Sequence, residues 1–357
     1  MMPVVTDQPE RSSIPAPAVL AAFALDSQGL RRIGTGLINQ TWSAFDASGL
    51  PCVLQRVNAV FPPEIHYDID AVTRHLRAKG LATPVLIPTR LGMLWHEHDG
   101  AVWRAMTSID GASYEALGNA EQAREAGRIL AVFHRALVDL KHTFRRARLG
   151  VHDTARHLTN LRTALEEQRA HRAFAEIAML AAEVLELAAA IDTTADAADR
   201  IVHGDPKISN VMFTHDGHRA LCLIDLDTVA RVPIALELGD AFRSWCNPKT
   251  EDASNATFEL TLFRAAIEGY AAGTEGFITP AEWRAIPHAI FRITVELAAR
   301  FCADALRESY FGWDKNRFAS ASDHNQARTR GQVALARAVR AQLPTIEELV
   351  TVAVTRL

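Results

Sequence analysis

The chain has 357 residues, 48% hydrophobic and 22% charged, a globular composition with enough apolar chain to bury a sizeable core, and its length predicts two lobes around a cleft. A formal net charge of -4 and a pI near 6.4 exclude a nucleic-acid binder that relies on a strongly basic surface. Four scattered cysteines without CxxC spacing speak against a zinc site or disulfide framework and predict a reduced, cytoplasmic setting, and no apolar run is long enough to cross a bilayer.

The first stretch, MMPVVTDQPERSSIPAPAV, lacks the basic and then apolar regions of an export signal. Residues 1–16 therefore read as a mobile, proline-containing arm. Pro17 to Asp26 is helical by its Ala, Leu and Phe content. Three antiparallel strands are predicted next, turning at Gly34-Thr35-Gly36 and at Ala47-Ser48-Gly49. Gly34 and Gly36 would let backbone amides approach a phosphate, with Asn39 and Thr41 adding donors, although an isolated GxG also fits an ordinary hairpin turn.

Arg56 lies on the third strand, where kinases carry a phosphate-holding lysine, and Gln55 on the opposite face competes for that place. The helix expected from about Pro62 to Gly80 offers Glu64, Asp68 and Asp70 as partners for Arg56, and Asp68 is the favoured one. Two further strands, LGMLWHEHD and AVWRAMTSI, join at Asp99-Gly100. Backbone groups near Met106 and Ser108 are candidates to bind adenine, ahead of a hinge at Asp110-Gly111. Residues 17–110 thus form a nucleotide-binding sheet of five strands with one inserted helix.

Residues 111–357 read as a larger, mostly helical lobe. Asn119 and Gln122 resemble a capping box before an apolar stripe that includes Ala126, Leu130 and Phe133, beside which His134 reads as a packed core residue. Helices follow His152 and span Phe174 to Ile191. The stretch IVHGDPKISNVMFTHDGHRALCLIDLDTV, residues 201–229, concentrates the chemistry. His203, Asp205 and Asn210 match the spacing of a kinase catalytic loop, and a later strand ends in Asp225 and Asp227.

Phosphoryl transfer requires a base at the attacking hydroxyl, Mg²⁺ on the phosphates and cations over the developing charge. Asp205 suits the base, Lys207 can neutralise charge, and Asn210 with Asp225 supplies hard oxygen ligands, Asp227 being an accessory carboxylate. A polar turn without chemistry is the plain alternative for HGDPKISN, but four elements in order favour the kinase arrangement. Direct metal hydrolysis by His203, Asp205, Asp225 and Asp227 lacks further ligands at matched spacing.

Beyond this stretch, Asp240 reads as a helix N-cap. Another helix spans about Ala256 to Ala272, and Thr279-Pro280-Ala281-Glu282 starts one that runs through Leu306, where Arg300 and Asp304 stand one turn apart. The aromatics of ESYFGWDKNRF fit equally a sugar-stacking platform or a loop pinned to the core. Closing helices are expected from Asn325 to Leu343 and from Thr345.

These residues resemble the aminoglycoside phosphotransferase and choline kinase superfamily and, within it, the bacterial N-acetylhexosamine 1-kinase group. The similar segments include GLINQTW at 36–42, VLQRVNAVF at 53–61, DPKISNVMF at 205–213, LIDLDTV at 223–229, LGDAFRSW at 238–245 and HNQARTRGQ at 324–332. The resemblance implies an α+β, protein-kinase-like two-lobe fold with a small antiparallel-sheet lobe and a larger helical lobe. It implies ATP and Mg²⁺ as cofactors, Asp205 as base, Asn210 and Asp225 as Mg²⁺ ligands, Arg56 as the strand cation, and Arg300 and Tyr310 as sugar contacts. Phosphorylation of the anomeric hydroxyl of an N-acetylated hexosamine is the implied reaction. The alternatives are an aminoglycoside- or choline-type acceptor, or a nucleotide-binding module without transfer. Tyr67 stands where that group carries an acid, and the spacing of Arg300 to Tyr310 is one residue short.

Overall fold

A computed structural model describes residues 14–33, 39–145, 152–191 and 198–355. They form two compact units. The first takes the described residues of Met1–Gly111 together with Asp139–Ala147 and Ile224–Val229, and the second takes the remainder.

In the first unit, α1 (Pro17–Phe23) buries Val19, Leu20 and Phe23 and ends where Ala24 turns left-handed (φ 55°). The helix stops earlier than its composition suggests, because that turn starts β1 (Leu25–Ile33) one residue later. With β2 (Gln40–Asp46), β3 (Pro51–Val57), β4 (Leu86–Ile87), β5 (His96–His98) and β6 (Ala101–Thr107) it makes a sheet ordered β1-β2-β3-β6-β4, in which β5 also pairs with β6. All pairings are antiparallel. The sheet has six strands where five were expected. The extra one is the two-residue β4, too short to show a period, and most of LGMLWHEHD is a turn around Gly92 (φ 77°) instead of a strand.

One face of this sheet packs Trp42, Leu54 and Ala105 against Phe23, with Trp42 and Trp103 ring centroids 5.5 Å apart. Helix α2 (Ile65–Ala78) follows β3, and Gly80 (φ 75°) reverses the chain after it.

The second unit contains α3 (Ala120–Ala136), α4 (Thr154–Glu167), α5 (Phe174–Ala188), α6 (Ile234–Trp245), α7 (Leu260–Thr274), α8 (Pro280–Arg307) and α9 (Ala321–Thr355). Two small antiparallel pairs accompany them, β7 (Asp199–Val202) with β10 (Ala230–Pro233) and β8 (Val211–Phe213) with β9 (Ala220–Leu223). Helices α3 and α7 cross so closely that a Cβ at Gly127 would lie 2.0 Å from the Ala266 carbonyl oxygen, and one at Gly269 would lie 2.0 Å from that of Arg124. No side chain fits at either position.

The capping box at Thr279 forms as expected, its side chain accepting from Glu282 N while Glu282 accepts from Thr279 N. Pro344 does not divide the last helix in two. Its fixed φ suits a helix, and burial of Ile346, Leu349 and Val350 beyond it outweighs one lost backbone hydrogen bond. Among the described residues no helix is long and apolar enough to cross a membrane. All four cysteines are buried and unpaired, and burial pushes the Cys222 and Cys302 thiols up to about 12.

Candidate active site

The loop between β7 and β8 is built inside the second unit and is anchored by a carboxylate its own sequence does not contain. Glu237 of α6, fully buried, accepts the amides of His203 and Gly204, each at 2.9 Å. His134 Nε2 lies 3.5 Å from Glu237 Oε1, the oxygen that accepts the His203 amide, and His134 Nδ1 meets the Tyr270 hydroxyl at 2.9 Å. Trp245 Nε1 donates to the Pro206 carbonyl at 2.7 Å. His203 points into the core and its Nδ1 accepts from the Asp205 amide at 3.3 Å.

This scaffold leaves the Asp205 side chain about one-third exposed, with Lys207 Nζ donating to its Oδ2 at 2.8 Å. Asn210 closes a 3₁₀ turn and donates Nδ2 to the Asp205 carbonyl at 2.8 Å. That bond fixes the amide orientation and leaves Asn210 Oδ1 as the oxygen it can offer to a cation.

Asp225 follows β9 and the first unit resumes there. It is left-handed (φ 64°), a conformation Asp tolerates better than most residues, and a 3₁₀ turn at Leu226–Thr228 comes directly after it. Asp227 lies in that turn and is committed elsewhere. Its Oδ1 is ion-paired with Arg104 of β6, and its Oδ2 accepts from Asn39 Nδ2 at 2.8 Å. Burial pushes the Asp227 carboxyl up, but the Arg104 guanidinium and Asn39 override it and hold the carboxyl below its ordinary range. Arg104 Nε donates to Gln55 at 2.8 Å, and Gln55 donates to Thr41 Oγ1 at 3.2 Å.

Of the expected nucleotide contacts, Gly34 and Gly36 lie outside the described residues. Arg56 is exposed and makes no ion pair with the described residues, while Asp68 is taken by His142 Nε2 (2.7 Å) and the Arg145 amide. The favoured Arg56–Asp68 pairing is therefore not formed, and Asp70 pairs with Arg74. Met106 sits on β6 between β3 and β4, and the Ser108 amide donates to the Pro51 carbonyl at 3.3 Å.

His66 of α2 is fully buried, stacked on Trp95, with Nδ1 2.6 Å from the Pro63 carbonyl. Burial first, and Arg104 second, depress its pKa to about 4. The unfolded chain binds this proton first, so the stability His66 contributes is complete above pH 6.5 and drains as pH falls toward 4. A loss of roughly 3 kcal/mol is expected across that window. Denaturant midpoints at pH 7 and 4.5 test this: His66→Phe should flatten the decline, and an unchanged slope rejects His66 as its source.

The expected acceptor residues also lie in the second unit. Asp240 is inside α6 and not at its N-cap, and Arg243 one turn later donates to Asp240 Oδ1 from Nε (3.0 Å) and NH2 (2.8 Å). Burial raises the Asp240 carboxyl, and Arg243, then His152, then Arg300 bring it below its ordinary range. Arg243 also reaches Glu251 and Gln332, each at 3.5 Å. His152 lies 3.3 Å from Glu296, whose other oxygen accepts from Thr154 at 2.7 Å.

Asp304 does not pair with Arg300. Its carboxylate caps the following loop, accepting the amides of Ser309, Tyr310 and Phe311 and the side chain of Asn325. Arg300 instead lies 5.6 Å over the Phe311 ring, and the Tyr310 ring stands half-exposed and edge-on to Phe311. The aromatic loop is pinned in part, by Phe311 against Phe301 (4.6 Å) and Phe318 stacked on His324 (4.1 Å).

Sequence reading passed over Glu237, Arg104 and His66. The available signal was a lone charge inside an apolar run, PIALEL for Glu237 and AVWRAM for Arg104. Among the described residues no group of three or more His, Cys, Asp or Glu gathers to hold a metal. Taken singly, Asn210 in the second unit offers an amide oxygen and Asp225 in the first unit a carboxylate, both hard oxygen donors of the kind Mg²⁺ takes.

Residues 29–277 match the family described as the phosphotransferase enzyme family. The chain is similar to an aminoglycoside phosphotransferase from Alicyclobacillus acidocaldarius, at 19% identity and TM-score 0.57, covering 94% of this chain and 98% of the other. It is similar to a microcompartment-associated aminopropanol kinase, at 16% identity and TM-score 0.62, over 91% and 97% of the two chains. Amicoumacin kinase hAmiN in complex with AMP-PNP, Ca²⁺ and Ami is a third, at 11% identity and TM-score 0.59, over 89% and 91%. At these identities the likeness shows a shared fold, α+β and kinase-like.

Proposed function

The chain belongs to the phosphotransferase enzyme family, and from that premise we propose that it transfers the γ-phosphoryl group of ATP, with Mg²⁺, to a hydroxyl of a neutral, oxygen-rich acceptor, best an N-acetylhexosamine at its anomeric position. Asp205 accepts the acceptor hydroxyl proton as the oxygen forms its bond to phosphorus and the bond to ADP breaks. Lys207 stands beside that carboxylate and offsets negative charge on the transferring group. Asn210 and Asp225 are the residues that would each offer Mg²⁺ an oxygen, and the ion would supply charge neutralisation at the phosphates. The AMP-PNP and Ca²⁺ held by amicoumacin kinase support this cofactor pair.

The observation that carries the acceptor class is the state of the charges around Arg300. Asp240, Asp304 and Glu296 all already accept from partners within the second unit. Arg300 has an aromatic ring beside it and no hydrogen-bond acceptor among the described residues. A cationic amine would need an uncommitted carboxylate there, whereas a guanidinium with open donors suits carbonyl and hydroxyl oxygens.

The test is ADP release over a panel of N-acetylglucosamine, N-acetylgalactosamine, choline, aminopropanol and aminoglycosides. Turnover on amines alone establishes the second reading, an amino-alcohol or aminoglycoside acceptor, which the similarity to aminopropanol kinase favours. Nucleotide binding without transfer to any acceptor would leave a binding module. Arg300→Ala is expected to raise the acceptor KM by roughly 10- to 100-fold, the loss of a charge-assisted hydrogen bond of about 1.5–3 kcal/mol, with the KM for ATP unchanged. An equal rise in both constants counts against a direct contact.

A further inference from the structure

We infer that Arg104 and Asp227 are a positioning pair that sets the Asp225 carboxylate for a divalent cation, and that Asp227 is not itself a ligand. The inference rests on the proposed kinase activity and concerns residues of the first unit only.

Both oxygens of Asp227 are occupied, Oδ1 by the Arg104 guanidinium and Oδ2 by Asn39 Nδ2. The two charged side chains are 1% and 2% exposed. A divalent cation on Oδ1 would meet a guanidinium on the same oxygen in a poorly screened interior, which opposes ligation there. Burying an ion pair also incurs a desolvation cost that an apolar pair would avoid, so what the pair supplies here is a fixed geometry.

The connections show what is fixed. Arg104 belongs to β6 and is oriented by Gln55 of β3, which is itself tied to Thr41 of β2. Asn39 enters β2 and its Oδ1 accepts from the Asn58 amide at 2.9 Å, just past β3. Arg104 of β6 and Asn39, directly before β2, thus grip one carboxylate in the 3₁₀ turn Leu226–Thr228, with Gln55 of β3 steadying Arg104. Asp225 is the N-cap of that turn, and anchoring the turn through Asp227 holds the left-handed Asp225 backbone (φ 64°) in place. Metal ligands are commonly oriented by partners of this kind, and losing one lowers metal affinity about 10- to 100-fold.

The two roles for Asp227 predict opposite signs when Arg104 is removed. As a positioning partner, Arg104 aids cation binding; as a competitor for a ligand, it hinders it. Mn²⁺ titration with a non-hydrolysable ATP analogue, followed by the spectroscopic signal of free Mn²⁺, reads this without turnover. Arg104→Gln is expected to raise half-saturating Mn²⁺ by about 10-fold. Arg104→Lys keeps the charge on Asp227 but cannot also hold Gln55, and should fall between wild type and Arg104→Gln. It serves as the readout if Arg104→Gln does not fold, as judged by thermal unfolding.

Tighter or unchanged Mn²⁺ binding in the folded variants overturns the inference, even if their stability falls. If the wild-type chain takes up no Mn²⁺ with nucleotide, the proposed kinase activity itself fails, and the inference falls with it.

Discussion

Asp205→Asn is expected to lower kcat by roughly 10²- to 10⁴-fold while leaving ATP affinity nearly unchanged, because general-base assistance disappears and little else moves. The substitution is close to isosteric, and its surroundings can accommodate it. Lys207 donates to Oδ2 of the present carboxylate and can donate to an amide oxygen. Asn210 contacts mainly the Asp205 carbonyl, which the substitution preserves. The loop itself hangs on Glu237, Trp245 and His203, none of which contacts the Asp205 carboxylate through the bonds that hold it. Single-turnover rates and nucleotide titrations on the variant separate the two quantities. Retention of full turnover would remove Asp205 from the role of base.

Glu237→Ala is expected to cost on the order of 3–5 kcal/mol of stability, the range for breaking a buried charged network by removing one partner. The buried His203 amide and the partly buried Gly204 amide would lose their acceptor, at roughly 1–3 kcal/mol for the buried one and less for the other. A natural domain has only about 5–15 kcal/mol in total, so the loss is a large fraction of it. Glu237→Gln should fall between, since its amide offers one acceptor and turns a donor toward the second N–H. Denaturant unfolding of the three proteins checks the order. Turnover should follow the same order, because the amides concerned belong to the two residues preceding Asp205. Wild-type stability in Glu237→Ala would show that the loop is held by other means.

The capping box at Thr279 and the β-turn at Asp99-Gly100 were legible because their signals are local and complete within a few residues. The Asp240 assignment failed for the opposite reason. A polar residue between apolar groups fits a cap, yet within α6 it is the i,i+3 partner of Arg243, and nothing local distinguishes the two. Arg56 and Asp68 were joined by analogy of position, but Asp68 is taken up by His142 and the Arg145 amide, which lie 74 and 77 positions further along the chain.

By itself the sequence determined most of the elements and the spacing of Asp205, Asn210 and Asp225, because helices, turns and strand alternation are written in nearest-neighbour chemistry. Only the tertiary structure decided which charges are spent and which remain. Arg104 and Asp227 are 123 positions apart, and Glu237 reaches back 34 residues to the His203 amide. Burial is what turns each of these from an ordinary polar residue into an anchor, because a charge removed from water must find a partner wherever the fold supplies one.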